Sequence, residues 1–262
     1  MPDEAAPGGA GGNFPATRWS AIVATSSPDE AERRRALDVI LAAYWKPVYK
    51  YIRLRWNKSP EDAQDLTQDF FARLLEKNLL QSYDPARSRL RTYLRACVDN
   101  LAANRQRDEL RQKRGGGALH LSLDFASADG ELRFLEPGAP PEMEGFFERE
   151  WARSVFSAGV ERLRAELAAR GKSACFHIFE RFDLLDAMPD GPGRRPTYAE
   201  LAREMELSPT DVTNYLAYAR REFRRIVLEF VRQMTASDEE FRREARALLG
   251  AEPPPAAGGK RE

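Results

Sequence analysis

Apolar residues recur every three to four positions along most of this chain, and the polar positions between them are sorted by charge. Trp19, Ile22 and Val23 predict a short first helix over Phe14–Thr25. Leu37, Ile40, Leu41 and Tyr44 predict a second, which Pro47 is expected to divide from a third segment carrying Val48, Tyr51 and Ile52. From Pro60, the stretch PEDAQDLTQDFFARLLEK sets Ala63, Leu66, Thr67, Phe70 and Leu74 on one side and Glu61, Asp62, Asp65 and Asp69 on the other. The next stripe is Leu90, Tyr93, Leu94, Cys97 and Leu101. The period then lapses at Gly115–Gly117 and returns at Trp151 with Val155, Phe156, Val160, Leu163 and Leu167. Cys175, Phe176, Ile178, Phe179, Phe182 and Leu185 form another stripe, ending near Pro189. A short helix over Thr197–Glu206, a long one from Pro209 to about Val231 and an amphipathic one over Ser237–Leu249 complete the pattern. Ser27, Ser59 and Ser208 each precede a proline, a helix-start signal in which the hydroxyl caps and the proline takes the first turn.

Composition agrees with an all-α protein: leucine, alanine, arginine and glutamate dominate the 262 residues, and β-branched residues are sparse. The reading is two helical domains joined by a flexible linker, the second containing a helix-turn-helix. The boundaries are a disordered tail over 1–13, a first domain over 14–114, an acidic, Pro- and Gly-rich linker over 115–150, a second domain over 151–234, a C-terminal helix over 235–250 and a disordered tail over 251–262. Eight acidic residues against two basic ones from Asp124 to Glu150 mark the linker as too poor in apolar residues to build a core. No apolar run reaches the length of a membrane span, so no membrane insertion and a cytoplasmic location are expected.

Lysine and arginine (41) balance aspartate and glutamate (41), so any affinity for nucleic acid has to come from local patches. One such patch lies between Asp84 and Arg114, where nine basic residues face four acidic ones. Its arginines interleave with Tyr83, Tyr93, Asn100 and Asn104, an arrangement of cationic rails and aromatic platforms that suits unpaired bases. Near the end of the chain, a short helix, tight turn and long capped helix form a helix-turn-helix pattern. Thr210, Asp211, Thr213, Asn214, Ala217 and Tyr218 are its base-facing candidates, with Arg220, Arg221, Arg224 and Arg225 within reach of phosphates. A helical hairpin with a solvated charged face has the same pattern. Two cysteines (Cys97, Cys175) and two histidines make no structural zinc site, and no nucleophile–base pair or phosphate loop is present. Neither catalytic residues nor a metal nor a cofactor is expected.

Three of these stretches resemble bacterial RNA polymerase sigma factors of the sigma-70 family, extracytoplasmic-function group. PEDAQDLTQDFFARLLEK is similar to the region-two helix that docks on polymerase, and DPARSRLRTYLRACVDNLAANRQR to the following segment that melts and reads the minus-ten element. RPTYAELAREMELSPTDVTNYLAYARREFRR is similar to region four, which reads the minus-thirty-five element. The resemblance implies that Asp62, Asp65, Gln68 and Asp69 contact core RNA polymerase. It implies that Arg87, Arg89, Arg91, Tyr93, Arg95, Asn100, Asn104 and Arg105 contact melted minus-ten DNA. Thr210, Asp211, Thr213, Asn214, Ala217, Tyr218, Arg221 and Arg224 would contact minus-thirty-five duplex. The implied partners are core polymerase and promoter DNA, with room for an anti-sigma factor. The rival reading is a helix-turn-helix regulator that acts without polymerase; it leaves the acidic face at Asp62–Asp69 unexplained.

Overall fold

A computed structural model of the chain describes Ala24, Ser27 and residues 29–76, 79–109, 122–133, 142–184 and 194–250. The expected tails, most of the expected first helix, the basic residues Arg111, Lys113 and Arg114, and the stretch from Leu185 through Gly191 lie outside the described residues. Among those described, every regular element is helical. They are α1 (Glu30–Arg55), α2 (Pro60–Glu76), a 3-10 turn (Leu79–Ser82), α3 (Leu90–Glu109), α4 (Phe125–Arg133), α5 (Met143–Ala169), α6 (Ser173–Phe179, continued by a π-helical turn to Leu184), α7 (Tyr198–Glu204), α8 (Pro209–Gln233) and α9 (Asp238–Leu249).

Local chemistry accounts for several of the helix ends. Thr197 and Glu200 cap α7 reciprocally, as do Ser208 and Asp211 for α8, with Pro209 in its first turn. Ser59 Oγ accepts from the Asp62 amide at 3.1 Å. Ser237 caps α9, and Gly250, at φ +64°, ends it. Asp29, rather than the expected Ser27, caps α1. Ser27 instead donates to Glu32 at 2.6 Å.

Two sequence expectations need correction. Pro47 does not divide α1, which runs unbroken from Glu30 to Arg55 with the proline buried in it. An internal proline costs a helix about 3 kcal/mol. The offset is burial on both sides of it: Ile40, Ala43, Tyr44, Val48, Tyr51 and Ile52 are all nearly inaccessible.

Residues 115–150, expected as a flexible linker, contain α4 and the start of α5. Phe125 seats α4 by packing edge-on against Trp45 (5.7 Å between ring centroids) and tilted against Tyr49 (5.0 Å), and Ala128 is fully buried. The acids that composition reads as solvated are counter-ions for α1. Glu131 holds Lys46 (2.7 Å) and Lys50, and Asp129 holds Arg53 (3.0 Å). Helix α5 passes through the expected boundary at Trp151 without interruption and makes the most extensive helix–helix contact of the fold, along α1. Buried Lys50 of α1 and Glu150 of α5 are ion-paired inside that contact. The apolar core is continuous from α1 through α5 to α8, with Tyr44 stacked on Trp151 at 6.4 Å.

Candidate polymerase and nucleic-acid interfaces

Helix α2 keeps its apolar stripe inside, with Ala63, Leu66, Thr67, Phe70 and Leu74 buried. Glu61, Asp62 and Asp65 are exposed on the opposite side. Asp69 sits at the margin, half-buried and bonded to Arg73 Nε at 2.8 Å. Gln68 is only 8% exposed, so it belongs to the packed side and not to the acidic face. The solvent-facing acids are thus three carboxylates within the first turns of α2, where the helix dipole favours negative charge.

Helix α3 crosses α1 and is tied to it through Asp99, which accepts from Tyr51 (3.0 Å) and from Trp56 Nε1 (2.9 Å). Its basic residues fall into two groups. Towards the C-terminus, Asn100, Asn104 and Arg105 are exposed, and Asn104 accepts from Arg107. Towards the N-terminus, the arginines are occupied by carboxylates from distant parts of the chain. Arg95 pairs with Glu144 (3.1 Å), and Arg89 with Glu148 (3.5 Å) and Glu244 (3.3 Å). Arg91 is 4% exposed; it donates to Glu148 at 3.0 Å and to Glu244, and lies 4.6 Å over the Trp151 ring. Arg87, in the loop before α3, is open to solvent beside Asp84.

The aromatic platform is also engaged. Tyr83 and Tyr93 lie 5.5 Å apart. The Tyr93 hydroxyl donates to Leu79 O at 2.6 Å, and that of Tyr83 lies 3.1 Å from Ser88 O and 3.2 Å from Glu240 Oε1. Burial, followed by the neighbouring Glu240 carboxylate, raises the Tyr83 phenol well above its ordinary range. Burial also pushes the Glu148 carboxyl up, but the hydrogen bond and charge of Arg91 outweigh it and hold the group below the usual carboxylate range.

Helices α7 and α8 meet through a turn in which Leu207 N donates to Ala202 O at 2.9 Å. Glu206 adopts φ +55° there, a left-handed conformation that glycine takes more readily. Of the residues expected to face duplex, Thr210, Thr213, Asn214, Ala217 and Arg221 are exposed. Asp211 is used in the cap of α8, and Thr213 bonds back to Pro209 O. Arg220 is held by both oxygens of Asp183, and Arg225 by Glu166, Glu222 and Glu229, so these two expected phosphate contacts already carry ionic partners.

Tyr218 lies at the centre of a cationic cluster. Lys172 Nζ is 4.0 Å and the Arg221 guanidinium 5.3 Å from its ring, and Arg170 donates to its hydroxyl at 3.4 Å. Arg170 and Lys172, in the turn between α5 and α6, escaped the sequence reading. The signal was present as the basic residues flanking Gly171, but nothing local ties that turn to α8. Those neighbours, Arg170 first, hold the Tyr218 phenol below its ordinary range.

The site is therefore a helical scaffold with an acidic helix face beside a basic helix, and a short-turn-long helix pair farther along. Residues 41–112, covering most of α1 with α2 and α3, match the family model described as Sigma-70 region 2. The match covers 72 of the 262 residues and rests on this region alone. Neither a curated protein nor a solved structure matches the chain. Among the described residues, none of the helices is long and apolar enough to cross a membrane, and no group of three or more His, Cys, Asp or Glu is arranged to hold a metal ion.

Proposed function

We propose that the chain is a sigma factor of the extracytoplasmic-function group, binding core RNA polymerase through the acidic face of α2. In this reading the loop before α3 and α3 itself take the melted minus-ten strand, where stacking on aromatic side chains contributes about 1–3 kcal/mol per base. Helices α7 and α8 act as the helix-turn-helix on minus-thirty-five duplex, with Asn214 and Thr213 towards base edges and Lys172 and Arg221 towards phosphates, Arg170 beside them being already paired with Glu166 and Glu222 at 3.0 Å each. One observation carries the reading: the Sigma-70 region 2 match falls on the adjoining acidic and basic helices.

Asp62 and Asp65 are the residues on which to test it, because both are exposed and their reversal leaves the core intact. Asp62→Lys together with Asp65→Lys is expected to abolish assembly with core polymerase in size-exclusion chromatography while leaving the helical circular-dichroism spectrum unchanged. Assembly equal to that of the unaltered chain would refute the assignment.

A further inference from the structure

Three residues assigned above to the melted strand are held by carboxylates from one late helix. Glu244 of α9 pairs with Arg89 and Arg91, and Glu240, one turn earlier, lies against the Tyr83 hydroxyl. Both glutamates are buried, at 3% and 4% exposure. The first turns of α5 complete the cover, with Glu144 on Arg95 and Glu148 on Arg89 and Arg91. The remaining charged residues of α9, Asp238, Glu239, Arg242, Arg243 and Arg246, are exposed, Arg243 at 3.9 Å from Glu244. Helix α9 thus directs carboxylates at α3 and mainly guanidinium groups at solvent. A row of carboxylates paired with arginine offers what a phosphate backbone offers, namely anionic oxygens at ionic distance.

We propose that α9, with the first turns of α5, is an internal occupant of the strand-binding face of α3, so that this structure is a closed form in which acidic side chains stand in for DNA. The inference rests on the reading of that face as the strand-binding surface. Tyr83, Arg89 and Arg91 have two mutually exclusive sets of partners, and DNA gains them only when α9 lifts. Apparent affinity for a single strand is then reduced in proportion to the fraction of molecules that are open. The exposed group at Asn100, Asn104 and Arg105 is outside the cover and stays accessible in both forms.

The test compares two full-length variants that each remove one negative charge from α9. Glu244→Gln weakens the cover; Glu239→Gln does not touch it. With fluorescein-labelled oligothymidylate as the probe, fluorescence anisotropy is expected to show binding about tenfold tighter for Glu244→Gln than for Glu239→Gln. Equal affinities, or no binding by either, would overturn the proposal. Hydrogen exchange on the unaltered chain gives a second readout that needs no substitution. On adding oligothymidylate, amides of residues 238–249 are expected to exchange faster and those of 83–95 more slowly. Protection of 238–249 that is unchanged in the DNA-bound chain would refute closure. Failure of the sigma-factor reading appears elsewhere, as loss of any assembly between the unaltered chain and core polymerase.

Discussion

Arg91→Ala is the perturbation that best measures how firmly α9 is held. The side chain lies almost fully inside, bonded to Glu148 at 3.0 Å and to Glu244, and stacked 4.6 Å over Trp151. Truncation strands Glu244, itself 3% exposed, with Arg89 at 3.3 Å and Arg243 at 3.9 Å as its remaining ionic partners. Breaking a buried ion pair by deleting one partner costs about 3–5 kcal/mol. Arg89 moderates that loss, and the forfeited cation–π contact adds about 1–2 kcal/mol. The two sum to about 4–7 kcal/mol, and with Arg89 still holding Glu244 the lower end is expected, about 4 kcal/mol, or a fall in Tm of roughly 8–16 °C for a chain of this size. Urea unfolding followed by circular dichroism measures it, and a cycle with Glu244→Ala isolates the pair. Coupling of about 1.5 kcal/mol or more is expected, since contacting residues couple by about 0.5–3 kcal/mol. If the two single effects add to within about 0.5 kcal/mol, Arg91 and Glu244 are not partners in solution and the reasoning fails.

Other consequences can be measured independently. The Glu148 carboxyl is depressed in the fold, so its contribution is complete above the unfolded value of about 4.3 and is lost as pH falls through the lower folded value. Glu148→Gln is therefore expected to flatten the drop in Tm between about pH 5 and pH 3, and parallel curves for the two proteins would contradict the assignment. At Glu206, whose left-handed backbone costs a side-chain-bearing residue about 1–2 kcal/mol, substitution by glycine should raise Tm in a thermal melt; a fall of several degrees would show that the turn relies on the glutamate side chain. Gly159 brings α5 close to α8, where a Cβ would meet Phe223 at 3.1 Å and Val227 at 3.2 Å. Gly159→Val is thus expected to cost about 1–3 kcal/mol by overpacking, read from the urea midpoint.

Features written in local sequence were legible before the structure. The stripes Leu66–Phe70–Leu74 and Val155–Leu163–Leu167 are buried faces of α2 and α5, and Ser208 with Pro209 opens α8 as the pattern predicts. Features that depend on distant partners were not legible. Helix α4 has nine residues, one of them Gly130, and depends on Phe125 and on ion pairs with α1 some eighty positions earlier. No window of its own sequence carries that information. Arg91 sits next to Leu90 at the margin of an apolar stripe and reads as solvent-facing. Its burial follows from Glu244, 153 residues later. Gln68 was assigned to the acidic face from a family motif, although its position beside Thr67 turns it towards the core.

Lys46 and Lys50 stand on either side of Pro47, and both reach Glu131. Proline withholds the amide that would have bonded to the carbonyl four residues back, so α1 lacks a rung at that level. Glu131 spans the gap from outside as a splint, taking one lysine from each side of the weak point. The family match ends at residue 112, yet two lysines of the first helix within it are ion-paired to a residue beyond that end. A fragment cut at the family boundary would lose both pairs at the level of Pro47, so the ion-paired unit of this protein is longer than its recognisable one.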